Sequence, residues 1–212
     1  MSNDEQQPIS RERGWQLLQI ASTFGLSWLL MQAVHESGHM LHAWVSGGTV
    51  VRVVLHPLEI SRTDVSPNPH PQFVAWGGAV WGCLIPLGLL VVTSLAKTRY
   101  RRHRAPRDVF VALSWLTTFF AGFCLIANGG YLAIGSLDEI GDAGDLLNHG
   151  APAWSLIVFG AVTIPSGLWL WHGLGPRLGL GSDTWWVSRR GIISVLATLI
   201  VVVVAELVGG RR

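Results

Sequence analysis

Cysteine and charged residues are scarce in this chain, and each shortage excludes a class of protein. Cys83 and Cys124 are the only cysteines among 212 residues, and both lie inside apolar runs, so neither a disulfide framework nor a cysteine metal site is indicated. Charged residues make up 13% of the chain, and long stretches contain none. No internal repeat, low-complexity tract or soluble domain is visible. We therefore predict a single domain over residues 1–212.

Apolar residues occur in five long blocks instead of amphipathic patterns, which is typical of a membrane protein. A transmembrane helix needs roughly 20 apolar residues to cross a hydrocarbon core about 30 Å thick. The blocks cover residues 14–34, 73–96, 109–137, 151–174 and 191–208, and the last has Glu206 near its end. The sequence predicts an all-α polytopic membrane protein with about five transmembrane helices.

Basic residues indicate how the chain is oriented. They concentrate in the loops after the second and fourth blocks, whereas residues 138–145 contain four acids and no Lys or Arg. Because cytoplasmic loops are enriched in Lys and Arg, we predict a cell-membrane protein whose basic loops and N-terminal tail, residues 1–13, are cytoplasmic. Basic loops this short indicate orientation and not nucleic-acid binding. The residues are Lys97, Arg99, Arg101, Arg102, Arg104 and Arg107 in the first loop and Arg177, Arg189 and Arg190 in the second.

A β-branched segment follows the first block. Residues 49–55 read Thr-Val-Val-Arg-Val-Val-Leu, after Gly47 and Gly48 and before Pro57. This composition predicts a strand or short hairpin after the first helix. Non-helical backbone at membrane depth persists only where it is buried in protein or lines a wet cavity. We therefore expect the segment to border a functional site and, if that site takes peptides, residues 50–55 to hold an unwound substrate by edge pairing.

The sequence His35-Glu36-Ser37-Gly38-His39 follows directly on the first block. Two imidazoles four positions apart share one helix face and can bind a single Zn²⁺, and the intervening Glu36 can take a proton from water. Ionisable side chains in hydrocarbon are costly and normally functional. The segment predicts a zinc site within the membrane, with His35 and His39 as ligands and Glu36 as the catalytic base.

A catalytic zinc site usually has a third protein ligand and an open position. In the predicted topology, residues 138–145 lie on the same side of the membrane as His35 and His39. Asp142 is the first choice for the third ligand, and Asp145 is the alternative, although an acid here also suits the first turn of a helix. His42 is less suitable because it lies about 10 Å along the helix axis from His35.

These residues resemble the site-2 protease family of intramembrane zinc metallopeptidases, in its compact bacterial-type form. The resemblance covers most of the chain and rests on His35-Glu36-x-x-His39 in a spanning helix, a Gly47-Gly48 pair before a Val-rich strand, and an Asp-containing motif after a later span. It implies zinc binding by both histidines and an Asp, and regulated intramembrane proteolysis with Glu36 activating water. Better-studied members carry an Asn-Pro-Asp-Gly or Leu-Asp-Gly motif, whereas this chain has Gly141-Asp142-Ala143, so the third ligand stays open.

Asn128, followed by Gly129 and Gly130, resembles the Asn that precedes the Asp motif of the family. The resemblance implies that Asn128 binds substrate, and helix packing is the alternative explanation. We expect a zinc-dependent endopeptidase that acts on membrane proteins within the lipid bilayer. A divalent-metal transporter and a catalytically inactive membrane scaffold are the alternatives. The middles of the last three spans have few polar ligands, which favours the enzyme over the transporter.

Overall fold

The structure is a computed structural model, and it describes residues 3–58, 60–100, 107–178, 180 and 189–209. Six α-helices, a two-stranded hairpin and one 3₁₀ turn make up this part of the chain. In order, they are α1 (Asn3–Val45), β1 (Val50–Val54), β2 (Arg62–Val65), α2 (Pro71–Tyr100), α3 (Arg107–Asp138), α4 (Gly141–Asn148), α5 (Ala153–Trp171), the 3₁₀ turn (Gly175–Leu178) and α6 (Arg189–Gly209).

Five helices are long and apolar enough to cross a membrane, which confirms the predicted multi-pass architecture. The candidate spans are Arg13–Val45, Pro71–Arg99, Leu113–Asp138, Ala153–Trp171 and Arg189–Gly209. Helix α1 begins at Asn3, inside the predicted N-terminal tail. A helix can continue past the hydrocarbon core into water, because its backbone hydrogen bonds are internal in both environments.

The helices α1 and α2 touch through their backbones at Gly38 and Gly77. A Cβ atom added to Gly38 would lie 2.2 Å from the carbonyl oxygen of Gly77, and one added to Gly77 would lie 2.5 Å from that of Gly38. Small residues at such crossings let two helices approach closely inside a membrane. This crossing sets α2 directly against the segment of α1 that carries the two histidines.

The remaining helices surround this pair. Helix α3 packs against α2 and α5, α6 packs against α1, and the short α4 packs against α2 and α3. Leu132, Leu146 and Leu156 are fully buried where α3, α4 and α5 meet. Their burial holds α4 near the histidine-bearing end of the bundle.

The predicted hairpin is present and connects α1 to α2. Its strands are antiparallel, with Val53 opposite Thr63 and Val54 opposite Arg62, and the register is irregular between Val50 and Arg52. β2 contains only one apolar residue, Val65, so its strand conformation depends on pairing with β1 and not on an apolar pattern of its own.

Candidate metal centre

Three potential metal ligands meet at one end of the bundle. His35 and His39 lie one turn apart on α1, and Asp142 lies in the first turn of α4. Their nearest nitrogen and oxygen atoms all lie within 4.8 Å of one another. The two Nε2 atoms are 3.1 Å apart, and Asp142 Oδ2 lies 2.8 Å from Nε2 of His35 and 3.2 Å from that of His39. Donor atoms about 3.3 Å apart are expected around a tetrahedral ion with bonds of roughly 2.0 Å.

A hydrogen bond at the Nδ1 atom of each imidazole fixes the position of the ring proton. Nδ1 of His35 donates to the side-chain oxygen of Asn128 at 2.7 Å, and Nδ1 of His39 donates to the carbonyl oxygen of Val74 at 2.8 Å. Neither acceptor carries a hydrogen, so in the neutral rings the lone pairs are on the Nε2 atoms that face Asp142. Metal-binding histidines nearly always have such an outer partner. The donor set and its outer hydrogen bonds therefore fit a divalent cation.

Asn128 is oriented by a second hydrogen bond. Its amide nitrogen donates to the carbonyl oxygen of Cys124 at 2.8 Å, which turns its amide oxygen toward His35. The side chain is 1% exposed. The resemblance implied a substrate-binding role for Asn128, whereas its hydrogen bonds in the structure support His35.

Two glycines of α2 make room for this arrangement. A Cβ added to Gly78 would lie 2.3 Å from Nε2 of His39 and 2.4 Å from Nε2 of His35. A Cβ added to Gly82 would lie 2.7 Å from the amide oxygen of Asn128. The small-xxx-small spacing of these glycines is typical of helix packing, but here it also leaves space for the ligands and their outer partner.

Asp142, the first choice for the third ligand, lies beside both imidazoles. Burial alone would raise the pKa of its carboxyl, but protonated imidazoles of His35 and His39, each with an Nε2–H directed at the carboxylate, outweigh burial and hold that pKa well below its usual range. Asp145, the alternative, is exposed and is not part of the three-residue group.

His42, the third histidine on this part of α1, is engaged elsewhere. Its Nδ1 donates to the carbonyl oxygen of Phe73 at 2.6 Å, its Nε2 accepts from Trp81 Nε1 at 3.0 Å, and its ring stacks on that of Phe73. His42 thus braces α1 against α2.

Glu36 lies next to the three ligands and is 2% exposed. Its carboxylate accepts a hydrogen bond from the hydroxyl of Thr63 at 2.6 Å. Because Thr63 belongs to β2, the hairpin directly contacts the residue predicted to be the catalytic base. No signal in the sequence of β2 indicated this contact.

The ligands and Glu36 line a cavity of about 1120 Å³ between α1, β2, α2, α3 and α4. Six consecutive residues, 60–65, border it. Successive side chains of a strand point to opposite faces, so a continuous run indicates that the unpaired edge of β2 faces the cavity. The substrate-holding role predicted for residues 50–55 falls on β1 and the residue after it, and none of these residues lines the cavity.

Comparisons with protein-family models, with curated proteins and with solved structures give no match for this chain.

Replacing Asn128 with alanine tests whether this residue supports metal binding. We expect Asn128→Ala to weaken Zn²⁺ binding by about 10- to 100-fold, because His35 loses the acceptor that fixes its proton and ring orientation. Competition with a chromophoric chelator measures the affinity. Thr118→Val on the same helix is the control, since the Thr118 hydroxyl bonds only to the backbone of its own helix. Equal affinity of Asn128→Ala and wild type would contradict this role.

Proposed function

We propose that this protein is an intramembrane zinc metallopeptidase that hydrolyses peptide bonds of membrane-spanning substrates. One observation carries the proposal: two imidazole lone pairs and a carboxylate meet beside the buried Glu36, within a bundle of apolar helices. Two nitrogen donors and one oxygen donor form a catalytic zinc set that leaves a position open for water or substrate. The resemblance of the sequence to the site-2 protease family points to the same activity.

The proposed mechanism assigns separate tasks to the residues of the cavity. Zn²⁺ held by His35, His39 and Asp142 would supply Lewis-acid activation of water and of the scissile carbonyl. Glu36 takes the proton of the attacking water and delivers it to the leaving amine. Thr63 holds the Glu36 carboxylate in position through its hydroxyl. Burial of Glu36 limits competing contacts with solvent.

A substrate helix has to unwind locally before its peptide carbonyl is accessible, because the backbone of a helix in lipid is fully hydrogen-bonded. The unpaired edge of β2 offers backbone partners to the unwound segment by strand addition. We assign this role to β2 because residues 60–65 border the cavity that holds Glu36.

The proposed partners are therefore single-span membrane proteins, and the proposed location is the cell membrane. The N-terminus is assigned to the cytoplasm on the basis of the basic loops, including Lys97 and Arg99 in the last turn of α2.

Purified protein in lipid vesicles, together with a single-span substrate, provides the direct test. We expect cleavage that stops when a chelator removes the metal and returns when Zn²⁺ is added. His35→Ala should not recover with Zn²⁺. Zinc uptake into the vesicles without cleavage would support a transporter instead, and bound zinc with neither activity would support a scaffold.

Thr63 offers a further test of how Glu36 is positioned. We expect Thr63→Val, which removes the hydroxyl but keeps the branched shape, to lower kcat by about tenfold, because misplacement of a catalytic group costs rate. KM and Zn²⁺ affinity should remain near wild-type values. Thr63→Ser retains the hydroxyl and should recover most of the rate. If the serine and valine variants are equally slow, the hydrogen bond is not the cause.

A further inference from the structure

Tyr131 lies on α3, three residues after Asn128, and contacts both His35 and Asp142. Its ring packs edge-on against the imidazole of His35, with ring centroids 5.9 Å apart. It is partly buried and lines the same cavity as Glu36 and Asp142. The side chain is therefore near the place where a bound peptide would react.

The Tyr131 hydroxyl accepts one hydrogen bond, and its own O–H donor is unused. Its oxygen accepts a hydrogen bond from the backbone N–H of Asp142 at 3.2 Å. A phenol also has one O–H donor, and no residue in the described part of the chain accepts it. The bond from Asp142 uses only the oxygen as an acceptor, so the O–H group can still point into the cavity.

The chain makes specific room for this hydroxyl at Gly141. A Cβ added to Gly141 would lie 1.9 Å from the Tyr131 oxygen, and the backbone of Gly141 has a φ of +59°, which other residues rarely adopt. If Tyr131 only anchored Asp142, the bond from the Asp142 N–H would be explained. The O–H group of Tyr131, however, would have no partner beside the metal centre.

Peptide hydrolysis needs a donor of the kind that Tyr131 presents. Negative charge develops on the carbonyl oxygen when water adds to the carbonyl carbon, and fixed hydrogen-bond donors that stabilise this charge raise the rate. Asn128 has both ends of its amide bonded inside the protein. Among the described side chains that contact His35 or Asp142, Tyr131 combines access to the cavity with an unused donor.

We propose that Tyr131 is a catalytic residue whose O–H donates a hydrogen bond to the oxygen of the scissile carbonyl. This inference rests on the proposed peptidase function. As the water oxygen bonds to the carbonyl carbon, its proton passes to Glu36 and the carbonyl π electrons move to the oxygen bonded by Tyr131. When the C–N bond breaks, the carbonyl re-forms and the proton passes from Glu36 to the amine. Tyr131 keeps its own proton throughout.

Tyr131→Phe tests this role with three measurements in vesicles. We expect kcat to fall about 100-fold with KM unchanged, as for loss of one oxyanion donor. Binding of a phosphinic peptide, whose P–O⁻ group imitates the charged oxygen, should weaken by a similar factor. Zn²⁺ affinity should stay within about twofold of wild type, because the variant keeps the hydrogen bonds of His35 to Asn128 and of His39 to Val74. Ser136→Ala is the control, because that hydroxyl bonds only to the backbone of α3.

The outcomes separate this inference from the function on which it rests. An active wild type with an equally active Tyr131→Phe variant overturns the role of Tyr131 and leaves the peptidase intact. A loss of Zn²⁺ affinity that matches the loss of rate overturns it as well, since Tyr131 would then only anchor Asp142. A wild type that binds zinc but cleaves nothing overturns both.

Discussion

Glu36→Gln is expected to lower the rate of peptide hydrolysis by about a thousandfold, within the range of 10²–10⁴ that a positioned general base contributes. Glutamine has nearly the same shape, and its amide oxygen can still accept the hydrogen bond from Thr63. The amide cannot take up a proton from water at neutral pH. The effect should therefore fall on kcat, with little change in the packing of the cavity.

Single-turnover cleavage of a reconstituted single-span substrate measures this loss without a contribution from product release. Zn²⁺ affinity should be nearly unchanged, because Glu36 is not one of the three grouped ligands. Glu206→Gln is the matched control, since Glu206 is a buried carboxylate in α6 and does not line the cavity. Cleavage by Glu36→Gln within tenfold of wild type would show that another group acts as the base.

Gly78→Ala should abolish tight metal binding, and with it hydrolysis. The added methyl carbon would lie 2.3 and 2.4 Å from the two Nε2 atoms, distances at which the rings have to move. Both rings are held from behind, His35 by Asn128 and His39 by Val74. Moving them breaks these hydrogen bonds as well, so we expect Zn²⁺ affinity to fall by at least about 100-fold, the upper end for loss of outer partners alone.

The same helix supplies the control for this variant. Gly88→Ala makes the same chemical change in α2, where an added Cβ has no atom within 4 Å. It should bind Zn²⁺ and cleave substrate like wild type. If Gly78→Ala also retains wild-type zinc affinity, the ligands do not use the space beside Gly78, and the proposed arrangement of the site is wrong.

The parts of the molecule that the sequence predicts depend on local patterns. The five spans follow from apolar runs long enough to cross lipid, which chain length and hydropathy alone decide. His35 and His39 are four positions apart on one helix, so their common face needs no knowledge of the fold. Asp142 could be placed on the same side as the histidines because two crossings, an even number, separate the ends of the first and third spans.

The parts that the sequence did not predict depend on contacts between distant residues. The choice between Asp142 and Asp145 depends on how α4 turns after α3, which involves positive φ values at Glu139 and Gly141. The partner of His35, Asn128, is 93 positions away along the chain. Thr63 is in a strand that forms only by pairing with β1, so nothing in residues 62–65 alone indicates its approach to Glu36.

The contact between Gly38 and Gly77 also limits how α1 and α2 can move relative to each other. Two backbones that touch without intervening side chains have no rotamers to change, so α1 and α2 move together and the paired imidazoles travel with them as one rigid unit. Trp28 and Met31 of α1 and Ile126 of α3 line the cavity together with these imidazoles. A rearrangement of the hairpin would separate Thr63 from Glu36, and one of α4 would separate Asp142 from the imidazoles, so the site stays assembled only while both elements keep their positions.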